Sequence, residues 1–97
     1  MATVLVDAEN VRRSLWPNMS GSELEERSAR WAGQNGHDVQ VVWEGRESGD
    51  DRIARLAGEL EPPVWVVTSD RELRGRVHDH VERIIGGGSF ARELRNT

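Results

Sequence analysis

The sequence predicts an α/β fold, a three-layer, doubly wound sheet of about four parallel strands, carried by one domain over residues 1–97. Two observations predict it. Four short apolar segments, most of them Val-rich, run nearly without alternation, the pattern of parallel strands covered on both faces. Between them stand stretches with helical spacing and helix-start signals, giving the order β-α-β-α-β-α-β-α. The connections are long enough for right-handed crossovers, and the predicted strand order is 2-1-3-4.

Each element has its own warrant. Residues 3–6 form the first strand and deliver Asp7 at its end. Ser22 with Glu25 fits a hydroxyl followed three residues later by a carboxylate, the sign of a helix start; Leu24, Ser28 and Trp31 then share a stripe. Residues 39–43 form the second strand. Ser48 with Asp51 opens the next helix, where Ile53, Leu56, Ala57 and Leu60 fall at i, i+3, i+4 and i+7. Pro62 and Pro63 stop it. Residues 64–68 form the third strand, and Ser69 with Glu72 opens a third helix. Residues 81–85 form the fourth strand. A last helix is predicted to start at Ser89 and to bury Phe90 and Leu94. No linker, repeat or low-complexity tract interrupts this order.

Composition bounds the function. A chain of 97 residues buries roughly two thirds of its unfolded surface. With no cysteine, neither a disulfide framework nor a thiolate zinc site is available. The first ten residues lack a basic leader and reach a carboxylate at Asp7, and no apolar run approaches the roughly 18 residues of a membrane span. The expected compartment is therefore the cytoplasm, without membrane attachment. The net charge of −4 argues at first against a polyanionic partner. Setting aside Asp7, Asp50, Asp51 and Asp70, however, leaves 13 basic and 13 acidic residues. All 13 basic residues are arginine, so no mechanism here rests on a lysine amine.

Those four carboxylates mark the expected site. In open parallel sheets, sites form beyond the C-terminal ends of the strands, where chain order reverses. Asp7 follows the first strand, Ser69 and Asp70 follow the third, and Asp50 and Asp51 open a helix at the same edge. Neighbouring strands lie about 4.8 Å apart. Two carboxylates about 5 Å apart repel by roughly 3 kcal/mol at an effective dielectric of 20. A helix N-terminus offsets about 0.3–1 kcal/mol of that. A hard cation with oxygen ligands, Mg²⁺ or Mn²⁺, offsets it better and supplies what phosphodiester hydrolysis needs. Taken singly, each Asp reads as a cap or turn residue; gathered on one edge, they read as a metal site.

The segments VLVDAENV, ESGDDRIARLA, VWVVTSDREL and ERIIGGGSFAREL, in this order, resemble the NYN-domain family, the YacP-like branch of PIN-type ribonucleases. The resemblance runs over nearly the whole chain. It implies a PIN-like fold and a metal-dependent, RNA-cleaving site in which Asp7, Asp50 with Asp51, and Asp70 take part, with Asn10 following the first Asp. The chain departs from the pattern after the second strand, where only residues 44–49 precede the Asp pair. Glu44 stands there either as the counterpart of the family's Asp or as a lead into the next motif. A receiver domain would share the acidic edge, but its site uses a lysine.

The implied reading is an RNA endonuclease. Asp7, Asp50 and Asp70 hold Mg²⁺ or Mn²⁺, Asp51 or Glu44 assists, Asn10 orients Asp7, and Ser69 is a further supporting residue. Arg12, Arg13, Arg71 and Arg74 are expected to seat the RNA backbone, since guanidinium suits phosphate, or else to pair with nearby glutamates. The partner is RNA, free or on the ribosome. The alternative is a non-catalytic RNA- or ribosome-binding module of the same fold. Gly86 to Gly88 read as a strand-to-helix turn or a phosphate approach. Trp31, Trp43 and Trp65 read as core. Trp16, in a loop, reads either as packing over the sheet or as a base-stacking residue. His78 and His80, two apart, do not share a helix face.

Overall fold

The computed structural model describes residues 1–96. Among them β1 (Thr3–Asp7), β2 (Asp38–Val42), β3 (Val64–Val67) and β4 (Arg83–Ile85) form one parallel sheet in the order β2-β1-β3-β4. Both the architecture and the strand order match the expectation. Thr3 lies opposite Asp38 and Val64, and Val6 opposite Val41 and Val67. β1 therefore has a neighbour on each side, and its last residue emerges in the middle of the sheet edge.

Alternation along the strands splits the core into two layers. Val4, Val6 and Val67 pack with residues of α1 (Ala8–Arg12), α2 (Gly21–Asn35) and α5 (Gly87–Arg95), including Val11, Leu24, Trp31 and Phe90. Leu5, Val64 and Val66 pack on the other face with α3 (Gly49–Glu59) and α4 (Arg71–Val77), through Ile53, Ala57, Leu73 and Val77. Each fully buried aliphatic or Phe side chain contributes about 1.5–3 kcal/mol. Phe90 meets Trp31 edge to face with centroids 4.9 Å apart, a geometry worth about 0.5–1.5 kcal/mol more. No helix among the described residues is long and apolar enough to cross a membrane.

Several local expectations are corrected. α2 is capped by Ser20, whose hydroxyl accepts the Glu23 N–H, and not by Ser22. The deciding factor is packing. Starting at Ser20 makes buried Met19 and Leu24 the apolar pair that flanks a capping box. Glu25 is left to accept the Trp43 indole N–H at 2.9 Å. α4 is capped by Asp70 and not Ser69, and α5 begins at Gly87, two residues before Ser89. The cap at Ser48 is as expected. A short helix, α1, follows β1 directly, and a 3₁₀ turn (His78–His80) shortens β4 to Arg83–Ile85. Trp31 is core, but Trp43 and Trp65 are half-buried, their indoles donating to Glu25 and Glu82.

Candidate active site

Asp7 is buried at the end of β1, with 8% of its surface exposed. Just past β3, the fully buried Thr68 donates its hydroxyl to Asp7 Oδ2 at 2.8 Å. The same Oγ1 accepts the Asp70 N–H at 3.1 Å. Asp70 in turn caps α4, its Oδ1 accepting from Glu72 N–H at 2.9 Å and Leu73 N–H at 3.4 Å. Thr68 thus ties the acidic ends of two neighbouring strands together. It was absent from the expected site residues; the Thr of the TSD motif, at a strand end beside a carboxylate, was the available signal.

Asp50 comes from the first turn of α3. Gly49 is buried beside it, and a Cβ there would stand 3.2 Å from Glu44 Oε1. That close approach brings Glu44 over the start of the helix. Asp7, Asp50, Asp70 and Glu44 line one open cleft of about 410 Å³, together with Glu9, Asn10, Arg13 and Ser14. Asp7, Asp50 and Asp70, from three different segments, thus line the same cleft.

Their charges disfavour one another. Burial raises the Asp7 pKa above the usual carboxylate value, and the Asp50 and Asp70 charges push it the same way; the Thr68 hydroxyl and the Asn10 backbone amide oppose this. Asp50 is also raised, first by burial, then by the charges of Asp70 and Glu44, and by a hydrogen bond to Asp70 that favours its protonated form. Arg76 opposes that shift. The cleft is short of positive charge.

Asn10 takes a different part from the one expected. Its side-chain Oδ1 accepts the Ser69 N–H at 2.9 Å, and only its backbone amide acts on Asp7. Ser69 Oγ accepts the Gly87 N–H at 2.8 Å. A Cβ on Gly87 would lie 2.3 Å from Asn10 Oδ1 and 3.0 Å from Ser14 Oγ. The glycine run is therefore a close-packed turn into α5, with the Gly87 amide already bonded.

Other expected residues stand apart. Asp51 does not line the cleft; it accepts from Arg76 Nη1 at 2.9 Å, and that bond, followed by the one from Ser48, lowers its pKa. Next to Asp50 on the helix, it faces a different neighbour. Arg12 is half-buried and 3.9 Å from Glu9, while Arg13 lines the cleft and pairs with Glu9 at 3.0 Å. Arg71 and Arg74 do not line it. They lie three apart on one side of α4, and Arg74 lines a second cleft with His78 and Arg83. His78 and His80 are exposed.

The donors of the main cleft are carboxylate oxygens, which suit Mg²⁺ or Mn²⁺ in hardness and charge. As the side chains stand, no group of three His, Asp or Glu among the described residues is arranged to hold an ion. The donor chemistry fits; the assembled coordination shell is not formed.

No protein-family model and no curated protein matches the sequence. A solved structure does. The crystal structure of a mutant of Rae1 (YacP) from Bacillus subtilis is similar to this chain, with a TM-score of 0.74 and 22% identity, over 99% of this chain and 76% of that one. The fold is YacP-like. At that identity the likeness is one of fold, and the fold is the part of the motif-based resemblance that it bears out.

Proposed function

We propose that the protein is a metal-dependent ribonuclease that hydrolyses RNA phosphodiester bonds in the carboxylate cleft. One observation carries this reading. Asp7, buried at the middle of the sheet edge, lines one cleft with Asp50, Asp70 and Glu44, where burial first and neighbouring carboxylate charges second raise the pKa of Asp7 and of Asp50. The NYN-type motif order and the YacP-like fold support it.

Asp7, Asp50 and Asp70 would hold Mg²⁺ or Mn²⁺, with Glu44 beside them. Such an ion acidifies a bound water and neutralises charge on a phosphoryl oxygen. The chain's own residues supply the positioning. Thr68 fixes the Asp7 carboxylate against rotation and ties the end of β1 to that of β3, and its bond from the Asp70 amide fixes the turn that presents Asp70. Asn10, through Ser69 and Gly87, locks three chain segments around the cleft. Arg13, also lining it, would seat a substrate phosphate.

A second reading, an RNA- or ribosome-binding module without turnover, is favoured by the short connection from β2 to α3, residues 43–48. Single-stranded RNA incubated with Mn²⁺ separates the two, comparing the parent with Asp7→Asn. Cleavage by the parent and none by Asp7→Asn is expected. Binding without cleavage by either would select the second reading, and neither binding nor cleavage would overturn both.

A further inference from the structure

Trp16 stands 87% exposed, so the expectation that it packs over the sheet is not met. The backbone on either side of it is nevertheless anchored. Leu15 packs against the core before it and buried Met19 anchors the chain after it. The Ser14 N–H donates to the Val11 carbonyl at 3.1 Å and the Met19 N–H to the Arg12 carbonyl at 3.0 Å. Arg95 donates to the Pro17 carbonyl. The other three indoles donate to Glu93, Glu25 and Glu82. Among the described residues, that of Trp16 has no hydrogen-bond or ring partner.

We infer that Trp16 is a stacking platform for an unpaired nucleobase of a strand whose phosphate enters the neighbouring carboxylate cleft. This rests on the proposed function and names its substrate class, single-stranded rather than duplex RNA. Arg13 and Ser14 line that cleft, and Trp16 follows them in the same turn. Two peptide units of about 3.8 Å place its Cα within about 7.6 Å of that of Ser14. An exposed, flat π-surface three residues along the chain from an arginine that lines the cleft offers the two elements that single-strand binders combine, one for the base and the other for the backbone. A base inside a duplex has no free face to offer it.

The experiment measures binding of a single-stranded RNA oligonucleotide, the same strand in a duplex, and the strand with one abasic nucleotide, in Ca²⁺. The proteins are the parent, Trp16→Phe and Trp16→Ala. Trp16→Ala is expected to weaken single-strand binding by about five- to hundredfold, the range for losing one stacked base. Trp16→Phe should keep most of the affinity but lose the tryptophan quenching seen in the parent. Duplex binding should not change, and only the parent and Trp16→Phe should distinguish the abasic strand. Unaltered melting curves would show that the variants fold. If the parent binds single strands and Trp16→Ala binds them equally well, the platform is refuted while the proposed function stands. A parent dimer lost in Trp16→Ala, with RNA binding intact, would make the indole a protein contact and refute it likewise. A parent that binds no RNA would overturn both.

Discussion

The Thr68 hydroxyl donates to Asp7 Oδ2 at 2.8 Å, joining the ends of two neighbouring parallel strands inside the sheet edge. Because the same oxygen accepts the Asp70 N–H, one buried side chain serves two acidic residues with different tasks.

Thr68→Val keeps the shape and removes both bonds. It leaves a buried carboxylate without its hydroxyl donor and a backbone N–H without its acceptor. A loss of about 1–3 kcal/mol is expected from the unpaired groups. Urea unfolding midpoints check it, and Thr68→Ser should recover most of the loss. A Val variant as stable as the parent would show that the Asp7 carboxylate finds another partner.

The pH dependence has a definite sign. Asp7 and Asp50 have raised pKa values in the folded state, so above the ordinary carboxylate value of 3.8 the folded protein holds more protons there than the unfolded chain. Stability from these two groups therefore falls as pH rises through that window and recovers on acidification. Glu47 and Asp51, both lowered, act oppositely at lower pH, but they cancel when the parent is compared with Asp7→Asn. Asp7→Asn should be the more stable protein at pH 7, and its advantage should close as pH falls toward 3.8. Melting temperatures of both proteins at several pH values test this. A gap that does not change with pH would remove Asp7 titration as its source.

How much of this was legible in the sequence divides along physical lines. The strands, their order and the convergence of Asp7, Asp50 and Asp70 follow from apolar runs and topology, which the chain writes locally. The caps at Ser20 and Asp70 were misplaced because two candidates lie within two residues of each other and burial of Met19, Leu24 and Leu73 decides between them. Adjacency in sequence groups Asp51 with Asp50, yet successive helical residues face different neighbours. Closeness of Arg71 and Arg74 to Asp70 in sequence fixes the start of α4 but not which cleft its side chains border. Thr68 was missed because its role is a contact between residues 61 positions apart.

Gly87 makes a sharp steric test. A Cβ there would sit 2.3 Å from Asn10 Oδ1, inside any real contact distance, and Asn10 is tied to Ser69 and cannot move freely. Gly87→Ala should cost about 1–3 kcal/mol by overpacking. Gly88 has nothing within 4 Å of its added Cβ and lies in α5, so Gly88→Ala should be neutral or stabilising by about 0.5–1 kcal/mol. Thermal or urea unfolding of the pair reads the contrast. Equal effects would mean that Asn10 gives way without loss.

The metal part of the proposed function has a test that needs no RNA. A cation that binds only the folded cleft raises stability by mass action, about 1.4 kcal/mol at ten times its dissociation constant. For a domain of this size that is a rise of several degrees in melting temperature. Millimolar Mn²⁺ against EDTA should show it in the parent. Asp7→Asn and Asp50→Asn should lose most of the rise, because each removes an oxygen anion from the cleft and relieves the repulsion that draws the ion. Asp51→Asn is the informative control: its carboxylate is engaged by Arg76 outside the cleft, so the full rise should remain. Loss of the rise in Asp51→Asn would return that residue to the ligand set, with Arg76 releasing it on binding. Identical parent curves with Mn²⁺ and EDTA would mean that the cleft does not take the ion, and the hydrolytic reading would fall with it.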